Sequence, residues 1–113
     1  MNSRRLCYAC DLKDNPTLIA EYKMYHAQGK AWPEITESIK AAGIFDMEIY
    51  LFGNRMFMIM DVDENYCPER KQKMDALNPK VQEWEKIMWN YQQAFPMAKE
   101  GEKWIQMEQI FKL

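Results

Sequence analysis

The stretch Ile44-Phe45-Asp46-Met47-Glu48-Ile49-Tyr50-Leu51-Phe52-Gly53-Asn54-Arg55-Met56-Phe57-Met58-Ile59-Met60-Asp61-Val62 decides the fold. Its first half alternates. Met47, Ile49 and Leu51 point one way, and Asp46, Glu48, Tyr50 and Phe52 the other, as on a strand with one buried face. Gly53-Asn54 is a two-residue hairpin signal. The return run, 55–62, is apolar on both faces, and a strand of that kind needs cover on both sides of its sheet. Helices of the same chain can supply one layer. No segment is left over for the other, which points to a second subunit.

Working outward toward the N-terminus, Gly43 ends the preceding segment as a left-handed C-terminal cap. That segment reads as a helix from Pro33, with Ile35 and Ile39 inward. Trp32, just before the proline, is biased to extended backbone. Gly29 separates it from an earlier helix running from Pro16 to about Gln28, started by Asp14-Asn15-Pro16. Its apolar stripe is Leu18, Ile19, Tyr22 and Tyr25, with His26 at the edge. Residues 5–11, short and mostly apolar, read as the first strand. Toward the C-terminus, 64–76 is polar and reads as a loop with a short helix. Asn78-Pro79 then opens a longer helix with the stripe Val81, Trp84, Met88, Tyr91 and Phe95, stopped by Pro96. Gly101 lies in a polar connector, and Trp104 to Phe111 reads as the last strand. The order βαββαβ predicts an α+β, ferredoxin-like domain over residues 1–113, with a four-stranded antiparallel sheet and helices on one face.

Composition narrows the functional classes. The chain has 113 residues, 48% hydrophobic and 13% aromatic, which suits one globular domain. Its formal net charge is −2 and its 15 basic residues are scattered, so no nucleic-acid partner is expected. No stretch approaches the length of a membrane span, and the N-terminus lacks the apolar core of a signal peptide. Three cysteines leave at least one unpaired, which suits a reducing cytoplasm. Cys7 and Cys10 match C-x-x-C, but residues three apart on a strand diverge, so a metal or redox pair is not expected. Met56, Met58 and Met60 alternate as core filler does. No glycine-rich phosphate loop is present, and no nucleotide cofactor is expected.

The one histidine, His26, follows Tyr22 by four residues, so on a helix the two share a face. A phenol beside an imidazole can donate and accept protons near neutral pH. The competing reading is an aromatic and a histidine on a helix edge. Trp84, at helical spacing, reads first as core, with a flat face for the C–H side of a sugar ring as its functional reading. Glu85, off the stripe, reads as solvated or as an acceptor for a hydroxyl.

The ordered set Glu21-Tyr22-x-x-x-His26, Trp32-Pro33-Glu34-Ile35, Asp46-Met47-Glu48-Ile49-Tyr50, Gln82-Glu83-Trp84-Glu85 and Met107-Glu108-Gln109-Ile110-Phe111 resembles the L-rhamnose mutarotase family across almost the whole chain. The resemblance implies a cofactor-free homodimer, a dimeric α/β barrel, that interconverts the α and β pyranose anomers of a 6-deoxy sugar. It implies that His26 is the proton donor, that Tyr22 contacts the substrate, and that Trp84 lines the sugar pocket. Glu85, Asp46 and Tyr50, within the matching motifs, join Tyr22 and Trp84 as expected substrate-binding positions. The rhamnose branch has a tyrosine where Met47 stands, a second tryptophan where Glu85 stands, and two fewer residues between the histidine and Trp-Pro-Glu. The pattern here is more similar to the branch associated with L-fucose, and the sugar stays open between the two. The same fold also serves cofactor-independent monooxygenases and haem-binding proteins, and a non-catalytic sugar-binding module is a third alternative.

Overall fold

The structure, a computed structural model, describes residues 3–113. Its elements run β1 (Ser3–Leu12), α1 (Pro16–His26), α2 (Pro33–Ala41), β2 (Ile44–Phe52), β3 (Arg55–Asp63), α3 (Pro68–Ala76), α4 (Pro79–Met88), β4 (Gln92–Gln93) and β5 (Ile105–Gln106). β2 and β3 form the expected hairpin, with Phe52 opposite Arg55. Gly53 takes the positive φ that the first turn position requires. Asn54 then ties the turn to β1, its Nδ2 donating to the Leu12 carbonyl at 2.9 Å.

The sheet order is β2-β3-β1-β4, all antiparallel, with β5 also paired to β1. This is the ferredoxin-like arrangement, with one difference from expectation. The fourth row is not a single strand over 104–111. Gln92 and Gln93 pair with Leu12 and Asp11, and Ile105 and Gln106 pair with Ala9 and Tyr8. The chain leaves the sheet edge between these two short contacts. A second difference follows. Helix α4 stops at Met88 rather than running to Phe95, because 92–93 is drawn into the edge of β1. Tyr91 is buried all the same, from outside the helix.

Asparagines start both long helices, and of the two candidates before Pro16 it is Asn15 rather than Asp14 that caps α1. The Asn15 side chain accepts from the Thr17 and Leu18 amides, and Asn78 from those of Lys80 and Val81. Gly43 follows α2 at φ +92°, and its carbonyl accepts from the Asp63 amide.

The helix-facing side of the sheet carries Cys10, Leu12, Met56, Met58, Met60 and Val62, all buried. Ile44 joins them although it precedes Met47 by three. The register slips by one between Ile44 and Asp46, so a bulge at Phe45 restores the alternation. Tyr22, Val81, Trp84 and Met88 close the core from α1 and α4. The opposite face of the sheet bears Cys7, Ala9, Phe57 and Ile59 in neighbouring register, flanked by Tyr50, and no helix among the described residues covers it. Cys7 and Cys10 therefore lie on opposite faces, as a strand requires.

Candidate active site

Helix α1 presents Tyr22 and His26 on one face, one turn apart. Their rings stack, centroids 4.3 Å apart and 27° from parallel. The His26 Nδ1 lies 2.9 Å from the Tyr22 carbonyl oxygen. A carbonyl only accepts, so this nitrogen carries the proton, and Nε2 is left as a lone-pair acceptor. Among the described residues Nε2 has no hydrogen-bond partner. Desolvation lowers the His26 pKa, partly offset by the bond to the Tyr22 carbonyl. The imidazole therefore stands neutral at neutral pH. Burial drives the Tyr22 phenol well above its ordinary value, so it keeps its proton.

The pair sits where two cavities adjoin. An outer one of about 590 Å³ is bounded by Lys23, Lys40, Asp46, Met47 and Leu51. An inner one of about 320 Å³ reaches Trp84, Glu85, Met88, Gln92 and Trp104. Tyr22, His26, Met47 and Ile49 line both. Trp84 is buried and meets His26 edge to face at 5.4 Å, with Trp32 packed on it at 5.2 Å. Ile39, Met47, Ile49, Met58 and Met60 are among the apolar residues that line the inner chamber, and Glu85 and Gln92 among the polar ones.

The structure brings together four of the six residues expected from sequence: Tyr22, His26, Trp84 and Glu85. Asp46 reaches only the outer chamber, where its carboxylate accepts from the Met47 amide at 3.0 Å. Tyr50 lies apart from the others. It pairs with Phe57 on the opposite face of the sheet, largely exposed, and lines neither chamber. The period-2 alternation that sends Met47 and Ile49 inward sends Tyr50 outward.

Two residues of the site escape the sequence reading. Lys103 is buried and ion-paired with Glu85, its ammonium 4.9 Å from the Trp89 ring centroid. Gln92 is buried beside Tyr22 and donates from Nε2 to the phenol oxygen at 3.2 Å. Lys103 lay in a polar connector and Gln92 in an expected helix. Neither carried a local signal, since both arrive through the pairing of β4 and β5 with β1.

Comparison with known proteins agrees with this geometry. Residues 5–113 match the family described as L-rhamnose mutarotase. An L-fucose mutarotase from Xanthomonas campestris pv. campestris is 43% identical over 113 residues, all of this chain and 90% of that protein. The crystal structure of an L-rhamnose mutarotase from Formosa agariphila superposes with a TM-score of 0.70 at 23% identity, covering 97% of this chain and 98% of that one. Tetracenomycin F2 cyclase from Streptomyces glaucescens, a type-II polyketide cyclase, shares the fold with a TM-score of 0.62 at 13% identity, over 97% and 96% of the two chains. The match along nearly the full chain and the close curated relative make the conclusion plain: the protein belongs to the L-rhamnose mutarotase family.

Proposed function

We propose that this protein is an aldose mutarotase that interconverts the α and β pyranose anomers of a 6-deoxy-hexose, with L-fucose preferred. The observation that carries the reading is the stacked Tyr22–His26 pair at the junction of the two chambers, with Nδ1 committed and Nε2 free. The preference for L-fucose rests on the Xanthomonas relative and on Met47 and Glu85 lining the inner chamber.

The chemistry needs one proton removed from the anomeric hydroxyl and one delivered to the ring oxygen. Both oxygens are bonded to C1, so a single nitrogen can serve both. Neutral His26 takes the O1 proton at Nε2 as C1–O5 breaks. The imidazolium so formed returns a proton to O5, which is the donor role the family resemblance implies. Tyr22, still protonated, donates a hydrogen bond to the oxygen on which charge develops. Rotation about C1–C2 in the open aldehyde and closure from the other face give the second anomer. Trp84 supplies a flat apolar surface for the ring, and Glu85 an acceptor whose charge Lys103 balances.

The apolar, helix-free face of the sheet supports a homodimer in which a second copy covers Phe57 and Ile59. The free thiols, Cys10 buried among them, support a reducing cytoplasmic setting.

Exchange NMR of the anomeric protons of L-fucose and L-rhamnose, with and without protein, tests the reading. Faster exchange is expected for L-fucose, and His26→Ala should remove roughly 10²-fold or more of the acceleration. No acceleration of either sugar by the wild-type protein would overturn the function. Wild-type rates in His26→Ala would overturn the role of the imidazole.

A further inference from the structure

Gln92 lines the inner chamber and holds an unpaired polar atom. The residue is 3% exposed, and its Oε1 is buried with no hydrogen-bond partner among the described residues. An orphaned buried acceptor costs stability, and native structures keep few of them. This one belongs to a residue that lines a cavity beside Tyr22, His26 and Trp84. Its Nε2 is already committed to the Tyr22 phenol oxygen. Turning the amide over would leave an orphan N–H in the same place, so one polar group of Gln92 is unpaired in either orientation.

Two consequences follow for Tyr22. With Gln92 donating to its oxygen, the phenol's own hydrogen is directed elsewhere, and no protein acceptor takes it among the described residues. At the wall of the inner chamber an O–H donor and an amide acceptor, both without a protein partner among the described residues, therefore lie side by side. That is the complement of a hydroxyl group, which accepts one hydrogen bond and donates another.

We propose that Gln92 is a substrate-binding and positioning residue. Its Oε1 accepts the hydrogen of one sugar hydroxyl, and its Nε2 holds the Tyr22 phenol as a donor toward the sugar. The inference rests on the mutarotase reading above and deepens it, by assigning the inner chamber a hydroxyl-recognition contact that the edge pairing of β4 creates.

The test compares wild type, Gln92→Met and Gln92→Glu on L-fucose and its 2-, 3- and 4-deoxy analogues by anomeric exchange. Wild type should lose about tenfold in kcat/KM on one of the three analogues. Gln92→Met should lose about tenfold on L-fucose itself and show no further loss on that same analogue. Its melting temperature should match or exceed wild type, because the orphan acceptor is gone; a purely structural glutamine would lower it. Gln92→Glu keeps an acceptor but cannot donate, so the phenol turns toward the carboxylate and kcat falls with little change in KM. Wild-type kcat/KM in Gln92→Met, or all three analogue penalties intact in it, would overturn the proposal. Should Gln92→Met not fold, Gln92→Glu decides, and an unchanged kcat there overturns it. Failure of wild type itself to speed exchange is a separate result, which overturns the mutarotase reading and this inference with it.

Discussion

An imidazole whose Nδ1 proton is held by the carbonyl four residues back can offer a substrate only Nε2, and only while neutral. The lowered pKa of His26 fixes the sign of its pH dependence. Activity should hold down through the ordinary histidine value of 6.5 and fall only below it, as Nε2 becomes protonated. Anomeric exchange rates from pH 8 to pH 4 check this, and an activity that rises on acidification would reverse the assigned role. Stability carries the same sign. The unfolded chain takes up the His26 proton more readily than the folded one, so this contribution is full above the unfolded value and is lost as pH falls through the folded value. His26→Phe should flatten part of the acid-side decline in melting temperature. At this scale the sequence was informative where chemistry is local. The four-residue spacing of Tyr22 and His26 placed them on one face. Spacing within 44–52 equally required Tyr50 to point away from Met47, and the motif resemblance overrode that cue.

Helix α1 owes its start to one side chain. Asn15 caps both the Thr17 and Leu18 amides, in an 11-residue helix too short to be stable alone. Asn15→Ala should cost about 1 kcal/mol, a fall in melting temperature of roughly 4 °C, readable by circular dichroism. Exchange rates per folded molecule should change little, since Tyr22 and His26 lie about two and three turns further on. Legibility divides at the element scale. The hairpin announced itself through Gly53-Asn54, and the helix starts through Asn-Pro pairs, because these signals act within a few residues. The end of α4 did not. Tyr91 and Phe95 continue the helical spacing of Val81, Trp84 and Met88, and no glycine or proline intervenes before Pro96. What stops the helix is the pairing of Gln92 with Leu12, 80 residues earlier, and a local pattern holds no trace of that. Gln92 and Lys103 stayed hidden for the same reason.

Across the whole molecule, the chambers open on the helical side of the sheet and the uncovered apolar strip lies on the other. The dimer proposed above and the chemistry would therefore use opposite faces. Light scattering should find the wild-type protein dimeric and Phe57→Glu monomeric, with far-UV circular dichroism unchanged. A wild-type monomer would refute the pairing of these faces. The monomeric variant should keep measurable mutarotation, because none of Tyr22, His26, Trp84 or Glu85 faces the strip. One feature of the site also reaches the scale of the chain as a whole. There is a single histidine among 113 residues, and its ring lies against a tyrosine face at 4.3 Å. Protons held over an aromatic ring feel its induced magnetic field and resonate upfield. The protein thus carries the two C–H signals of one imidazole, identifiable without assigning the rest of the spectrum. Any sugar that wedges into the site or shifts the stack will move those lines, making occupancy readable directly from the enzyme.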